Sequence, residues 1–174
     1  MPISNNNVFV SLGSNIGDKL SYLKKALQKI NSMIGATVVR SSSVMETSPV
    51  GVTGQTNYLN QILLLHTDIP PDELLCILKG IELGLGRKKR ETWAEREIDI
   101  DIIEYEGVVL NSAELTLPHK EAMNRLFVIK GCCEVLPDYI MTSYNSTFSE
   151  LYTSALERLK DQIVLDTKPQ DIAE

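Results

Sequence analysis

The sequence has few cysteines and no long apolar run, and each shortage excludes a class of protein. Its three cysteines, Cys76, Cys132 and Cys133, lack the paired spacing of a zinc site. The sequence also shows no signal-peptide pattern, so the cysteines fit a protein of a reducing compartment. We expect them to be small buried apolar residues. No apolar run approaches the roughly 20 residues that a membrane-spanning helix needs. We therefore expect a cytoplasmic protein without a membrane partner.

Basic residues are fewer than acidic ones. The chain has 17 Lys and Arg against 23 Asp and Glu, which gives a formal net charge of -6. Because nucleic-acid binding depends largely on the neutralisation of phosphates, we expect no nucleic-acid partner. Any anionic ligand must instead be bound by a local cluster of basic side chains.

Length and composition predict one domain. A chain of 174 residues, 43% of them hydrophobic, lies in the usual range for a protein with a single apolar core. We assign residues 1–162 to this domain and residues 163–174 to a polar C-terminal tail.

The spacing of apolar residues predicts the element order βαββαβ. The predicted strands span residues 8–15, 37–48, 58–69 and 97–107, and the first ends in a turn at Gly13. One predicted helix is capped by Asp18 and stopped by Gly35, and the next runs from about 70 to 84–86. This order is typical of an α+β fold with a ferredoxin-like antiparallel sheet and two helices on one face. Additional C-terminal helices, predicted at about 120–133 and 149–160, share the other face with loops.

Asp99 and Asp101, in the segment IDID, stand two residues apart on a predicted strand. Their side chains therefore point to one face, while those of Ile98, Ile100 and Ile102 point to the other. Such a pair could bind Mg²⁺, which relieves the repulsion between the carboxylates and leaves coordination positions for phosphate oxygens. An acidic stripe on a solvated sheet face gives the same pattern, so the pair alone leaves both interpretations open.

Basic residues cluster in the sequence next to this pair. Arg125 and His119 follow it, and five others precede it, namely Arg87, Lys88, Lys89, Arg90 and Arg96. A basic loop beside two carboxylates is expected where Mg²⁺ and cationic side chains together neutralise a triphosphate. A solvated charge run is the alternative. The chain has no Walker A motif, because the nearest approach, GSNIGDKLS, has Asp where the motif requires Lys.

Four further residues are candidates for ligand contacts, each with a structural alternative. Trp93, in a polar loop, either stacks on a ring or folds back onto the domain. Tyr58 and Asn60 share one face of a predicted strand and suit a flat heterocycle, although a strand tyrosine is often a packing residue. His119 either contacts a phosphate or caps the following helix.

Six short motifs, in the right order and with similar gaps, resemble the hydroxymethyldihydropterin pyrophosphokinase family. They are LGSNIGD (12–18), ETSPVG (46–51), YLN (58–60), IELGLGR (81–87), W..REIDIDI (93–102) and LPH....NR.F (117–127). The resemblance covers nearly the whole chain, to about Tyr139. It implies the ferredoxin-like fold and an ATP-dependent transfer of diphosphate to 6-hydroxymethyl-7,8-dihydropterin in folate biosynthesis, with release of AMP.

The resemblance also implies roles for particular residues and a cofactor, two Mg²⁺ ions held by Asp99 and Asp101. Together with these aspartates, Arg87 and Arg96 match catalytic positions. The residues that match the pterin site are Thr47, Pro49, Val50, Tyr58, Asn60, Trp93 and Phe127. Those that match the nucleotide site are Glu82, Arg87, Lys89, Trp93, Arg96, Ile102, His119 and Arg125.

The chain departs from the family pattern in the basic loop and after His119. The departures are Lys89 in place of an arginine, Lys120 in place of an aromatic residue, and Thr92, Ala94 and Glu95 around Trp93. These changes concern the loop contacts and leave the two aspartates and the aromatic plates of the pterin site intact. A kinase that releases ADP and a binding module without catalysis are the alternative functions. We expect a monomer or a weak homodimer.

Overall fold

An antiparallel sheet with helices packed against it is the main feature of the chain, which a computed structural model describes over residues 5–49 and 51–167. The strands are β1 (Asn6–Ser14), β2 (Ala36–Ser41), β3 (Met45–Thr47), β4 (Tyr58–Thr67), β5 (Asp99–Tyr105), β6 (Leu110–Asn111), β7 (Thr116–Leu117), β8 (Ile140–Met141), β9 (Ser146–Thr147) and β10 (Val164–Asp166). The helices are α1 (Lys19–Asn31), α2 (Pro71–Gly84), α3 (Leu126–Val135) and α4 (Phe148–Arg158), and a 3-10 turn covers Ala122–Asn124. The predicted combination of helices with an antiparallel sheet is confirmed.

The strand order brings distant motifs together. The sheet runs β10-β3-β4-β1-β5, β2 also pairs with β4, and β6–β7 and β8–β9 form two separate small sheets. Gly13 of β1 lies opposite Asn60 of β4 on one side and Asp99 of β5 on the other. The end of β1 therefore holds the YLN and IDID motifs next to each other.

Helices cover both faces of the sheet, and each face has its own apolar cluster. Buried residues of α1 and α2, such as Leu23 and Leu78, pack with Leu12 and Ile100 of the sheet. On the opposite face, α3 and α4 pack against a second cluster centred on Phe9, Ile62, Ile129 and Phe148. The sheet thus separates two cores, and the alternation of side chains along each strand decides which core a residue joins.

Local signals explain the ends of α1 and α2. The Asp18 carboxylate accepts a hydrogen bond from Ser21 N–H at 3.0 Å, so the predicted cap is confirmed. Beyond the end of α2, Gly86 adopts a left-handed conformation with φ of 92°. This turn lets the Arg87 N–H donate to the Glu82 carbonyl at 3.1 Å and directs the chain back towards α2.

Several boundary predictions are wrong. The predicted strand 37–48 is two strands, because the chain breaks at Ser42, whose Oγ accepts the Ile62 N–H at 2.9 Å. Gly13 lies inside β1 and not in a turn. The predicted helix 120–133 is divided by Arg125, whose backbone is extended. Cys76 is exposed, because it lies on the outer side of α2.

The segment predicted as a polar tail, 163–174, begins with β10. Residues Val164–Asp166 pair with β3 in an antiparallel arrangement. Residues 168–174 lie outside the described part of the chain. Among the helices of residues 5–49 and 51–167, none has both the length and the apolar character that crossing a membrane requires.

Candidate active site

The candidate site lies where three neighbouring strands change from apolar to polar residues on one face. On the face covered by α3 and α4, the apolar residues Ile62 of β4 and Ile103 of β5 belong to the buried cluster. Two positions nearer the start of each strand, the same face carries Asn60 in β4 and Asp101 in β5. The matching position of β1, opposite Asn60, is Gly13. Because side chains alternate along strands, these residues share one surface beyond the apolar cluster.

Asp99 and Asp101 occupy this surface as the alternation of IDID predicts. The side chains of Ile98, Ile100 and Ile102 are buried in the core on the α1 and α2 face. Asp99 Oδ1 accepts from Arg87 Nη1 at 2.8 Å, and Asp99 Oδ2 accepts from Arg96 Nη1 at 2.9 Å. Burial raises the pKa of Asp99, but the positive charges of Arg96, Lys79 and Arg87 lower it by more. The net shift is downward, so the carboxylate is ionised at neutral pH.

Glu82 is the buried centre of the same charge network. Its Oε1 accepts hydrogen bonds from the Ile100 N–H at 2.6 Å and from Lys79 Nζ at 2.9 Å. Its Oε2 accepts a hydrogen bond from Arg87 Nη1, which also reaches Asp99. Burial raises the pKa of Glu82, and Lys79 acts in the opposite direction. Arg87 thus bridges a helix carboxylate and a strand carboxylate.

The two aspartates have the chemistry of a magnesium site. Their side chains are 22% and 30% exposed, so both carboxylates can be reached from solvent. Within residues 5–49 and 51–167, no three His, Cys, Asp or Glu side chains group closely enough to hold a metal ion by themselves. Magnesium is commonly bound by one or two carboxylates together with phosphate oxygens and water. The pair therefore fits a metal ion that is shared with a bound phosphate.

A second part of the surface is suited to a flat ring. Asn60 is buried and donates from Nδ2 to Thr47 Oγ1 at 2.8 Å, which fixes the direction of its amide. A side chain at Gly13 would place Cβ 3.1 Å from Asn60 Oδ1 and 3.8 Å from the Tyr58 ring, so only glycine leaves this approach unhindered. Burial raises the pKa of the half-buried Tyr58, and the nearby charges of Arg96 and Asp99 act on the same hydroxyl.

The remaining residues predicted for the pterin site are more dispersed. Phe127 is partly buried on α3 and packs against the cluster of Phe9 and Ile62. Pro49 is partly buried in the loop after β3, and Val50 lies outside the described residues. The Trp93 indole is 68% exposed with a backbone φ of 72°, so it does not fold back onto the domain.

The basic loop divides into residues that face the network and residues that stabilise the loop itself. Arg90 forms a two-pronged ion pair with Glu97 at 2.7 and 2.8 Å, and this lowers the pKa of Glu97 to about 2. Lys88 and Lys89 are exposed on the rim of a cleft that Lys79, Glu82, Arg87 and Arg96 also line. Arg90 thus stabilises the loop, Lys88 and Lys89 are exposed as in a solvated charge run, and Arg87 and Arg96 contact Asp99.

His119 and Ile102 take largely structural positions. Glu121 N–H donates to His119 Nδ1 at 3.2 Å and Ala122 N–H donates to the His119 carbonyl at 3.0 Å. His119 thus binds the backbone just before the 3-10 turn, whose N-cap is Glu121. Burial lowers the pKa of His119, although Asp101 opposes the shift. The neutral ring therefore carries its proton on Nε2, where it can donate to an anion. The Ile102 side chain belongs to the buried core.

Three residues of the site region were missed from the sequence, namely Lys79, Glu97 and Asn15. Asn15 is buried and joins two loops: its N–H donates to the Arg96 carbonyl at 3.1 Å, and its Oδ1 accepts the Arg96 N–H at 2.8 Å. Its Nδ2 donates to Gln55 Oε1 at 3.3 Å, and Gln55 Nε2 donates to the Trp93 carbonyl at 2.6 Å. The only available signal was the position of Asn15 directly after a strand, where a polar side chain commonly bonds to the backbone.

Comparisons with known proteins identify the family of this chain. A family model described as 7,8-dihydro-6-hydroxymethylpterin-pyrophosphokinase (HPPK) matches residues 9–137. The 2-amino-4-hydroxy-6-hydroxymethyldihydropteridine pyrophosphokinase of Methylorubrum extorquens is 34% identical over 154 residues, which is 87% of this chain and 98% of that protein. The protein of the same name from Aquifex aeolicus is 36% identical over 143 residues, covering 82% of this chain and 88% of the relative.

A solved structure shows the same fold at low sequence identity. The Plasmodium falciparum HPPK-DHPS structure with SDX-DHP superposes with a TM-score of 0.69 at 13% identity, over 90% of this chain and 45% of that one. The match of the family model to most of the chain and the identity to the bacterial relatives confirm the resemblance of the six motifs. The chain therefore belongs to the 7,8-dihydro-6-hydroxymethylpterin-pyrophosphokinase family.

Proposed function

We propose that the protein transfers the terminal diphosphate of ATP to the hydroxymethyl group of 6-hydroxymethyl-7,8-dihydropterin and releases AMP, a step of folate biosynthesis. The observation that carries the proposal is the position of Asp99 and Asp101, which face Arg87, Arg96 and Lys79 directly beside the surface of Tyr58 and Asn60. Anion-binding groups and a ring-binding surface thus meet at one end of the sheet.

Asp99 and Asp101 are the residues that would hold magnesium, and we propose two ions with bound ATP. Magnesium there would draw charge from the phosphates and favour attack on the β-phosphorus. The protein's own contribution is to keep Asp99 ionised and to hold both carboxylates on one face. Arg96, Lys79 and Arg87 supply the positive charge that lowers the pKa of Asp99 against the effect of its burial.

Arg87 and Arg96 are proposed to bind the triphosphate together with Lys89, His119 and Arg125. Each guanidinium has donors beyond those it gives to Asp99, and a phosphate oxygen can take these in a forked arrangement. His119 would donate from Nε2, because its Nδ1 accepts the Glu121 N–H. Glu82 is proposed to hold Arg87 in place, and the backbone at Ile102 to border the nucleotide.

The pterin is proposed to lie between Tyr58 and Phe127, with Trp93 closing over the ring. Asn60 would read the polar edge of the pterin through its Oδ1 and the second hydrogen of Nδ2, because Thr47 takes only one of the two amide hydrogens. The backbone of residues 47–50 would supply further contacts, and Pro49 and Val50 belong to this group. The loop 87–96 is proposed to order around the triphosphate and exclude water, so that ATP is not hydrolysed.

The fold, the domain extent, the cellular compartment and the oligomeric state are proposed together with this function. The order β10-β3-β4-β1-β5 supports a ferredoxin-like core made of β1, α1, β2 with β3, β4, α2 and β5. We propose that residues 1–162 act as one domain, whose sheet β10 completes by pairing with β3. We also propose that the protein is cytoplasmic and that it is a monomer or a weak homodimer.

The test is incubation with ATP, Mg²⁺ and 6-hydroxymethyl-7,8-dihydropterin, followed by mass detection of the products. The proposed reaction gives AMP and the pterin diphosphate ester in equal amounts. ADP with a pterin monophosphate would indicate a different kinase. Thermal stabilisation by both ligands without any product would indicate a binding module. Either of these last two results would refute the proposed function.

A further inference from the structure

Lys79 contacts a backbone carbonyl and two carboxylates at once. Its Nζ donates to the Ile100 carbonyl at 2.9 Å and to Glu82 Oε1 at 2.9 Å, and it lies 3.5 Å from Asp101 Oδ1. Lys79 and Glu82 are three residues apart in α2, so their side chains leave the helix on one side. That side meets β5, the last strand in the sheet order.

The two side chains hold the backbone on both sides of Ile100. Glu82 accepts the Ile100 N–H at 2.6 Å, and this N–H belongs to the peptide group that joins Asp99 to Ile100. Lys79 binds the Ile100 carbonyl, which belongs to the peptide group that joins Ile100 to Asp101. Each aspartate is therefore attached to a peptide group that α2 fixes from the edge of the sheet.

Such a fixed backbone has a specific use beside two carboxylates. Like charges on one strand face repel each other, and an edge strand has no neighbour on its outer side to oppose a distortion. Groups that orient metal ligands from behind affect metal affinity although they do not touch the metal. Hydrogen bonds from a helix to the peptide groups at Ile100 can keep the aspartates at one spacing.

We propose that Lys79 is a positioning residue for the metal-binding pair, which acts with Glu82 to hold the backbone at Ile100 and thereby the spacing of Asp99 and Asp101. The proposal rests on the proposed function, because it assumes that these aspartates bind a divalent cation together with ATP. Its distinguishing feature is that the hydrogen bond to Ile100 is what matters, whereas the charge of Lys79 can be spared because Arg87 and Arg96 still contact Asp99. A simple counter-ion role would instead make Lys79 a competitor of the metal at Asp101.

The experiment uses Mn²⁺ as the probe, with α,β-methylene-ATP to prevent turnover. Free Mn²⁺ is measured by electron paramagnetic resonance for the wild type, Lys79→Met, Lys79→Gln and the control Lys160→Met. Lys160 lies just after α4, is exposed and pairs with Glu157 of that helix, so its replacement leaves the site unaltered. Methionine has a similar length and no donor, whereas glutamine keeps an N–H donor and loses the charge.

We expect Lys79→Met to weaken Mn²⁺ binding about 10-fold or more, in the range found for groups that orient metal ligands. Lys79→Gln and Lys160→Met should stay within about threefold of the wild type. Unchanged or tighter binding in Lys79→Met would refute the proposal, and so would a loss in Lys79→Gln as large as in Lys79→Met. If Lys79→Met does not fold, Lys79→Gln decides alone, because a tenfold loss there would refute the hydrogen-bond role.

Kinetics separate this inference from the proposed function. In an active enzyme, Lys79→Met should lower kcat and leave KM for the pterin within about twofold, because the ring surface is untouched. A wild type that binds Mn²⁺ but forms no AMP would refute the proposed function and leave the Mn²⁺ series as a full test of Lys79. A wild type that binds no Mn²⁺ with the nucleotide analogue would refute the positioning role itself.

Discussion

Glu104 should make the stability of this protein fall as the pH rises towards neutrality. Its side chain is 1% exposed and lies behind the site, near the end of β5. Glu104 Oε1 accepts a hydrogen bond from the Tyr139 hydroxyl at 3.2 Å, and its Oε2 has no partner among the described residues. Burial raises the pKa of Glu104 to about 7, the Tyr139 hydroxyl and the Thr142 backbone oppose this, and Glu106 adds to it.

The size of the effect follows from the difference between the folded and unfolded chain. The ordinary pKa is 4.5 and the folded value about 7, so the folded state favours the protonated carboxyl by roughly 3 kcal/mol. Because the folded pKa is the higher one, this stabilisation is complete below about pH 4.5 and is lost as the pH rises through about 7. Glu104→Gln has no proton to lose and should lack the dependence.

The assay is urea unfolding at several pH values between about 5 and 8, with exposed Glu114→Gln as the control. The difference in unfolding free energy between Glu104→Gln and the wild type should change by about 2–3 kcal/mol in favour of the variant across this range. Pairwise differences remove the pH effects of all other groups. A difference that stays constant within about 0.5 kcal/mol would show that Glu104 titrates normally and would refute the reasoning.

Three further predictions concern the site and the packing behind it. Asp101→Asn should lower kcat for AMP formation about 100-fold, measured by chromatography of the nucleotides, and activity within threefold of the wild type would exclude a metal role. Tyr58→Ala should raise KM for the pterin about tenfold or more by loss of ring stacking, with KM for ATP as the internal control. Gly131→Ala should destabilise the protein by about 1–3 kcal/mol, because the new Cβ would overlap Ile62 and lie 3.2 Å from Met45 Cε. An unchanged melting temperature would show that α3 can move away from the sheet.

Part of the site could be predicted because the signal is local. In IDID, the direction of each side chain follows from strand geometry, so Asp99 and Asp101 could be placed on one face before any tertiary contact was known. The Asp18 cap is equally local, because the acceptor and the Ser21 N–H are three residues apart. The family motifs added Arg87 and Arg96, both of which contact Asp99.

Other features could not be predicted because their partners are distant in the sequence. A lysine such as Lys79 on an amphipathic helix resembles any solvated lysine, and only the packing of α2 against β5 brings it to Ile100. The pairing of β10 with β3 joins residues more than a hundred positions apart, and the polar composition of residues 163–174 gave no indication of it. Arg90 and Arg87 look alike in RKKR, yet one binds Glu97 and the other Asp99.

Three features follow from the amino-acid sequence without any tertiary contact: the order of the main helices and strands, the common face of the two aspartates, and the family to which the chain belongs. These depend on backbone sterics and side-chain periodicity, which act over a few residues, and on the order of short motifs. Tertiary structure alone decided which charges meet, how deeply Glu82 and Glu104 are buried, and which donors reach Ile100. Burial and ion pairing depend on elements that only the folded sheet brings into contact.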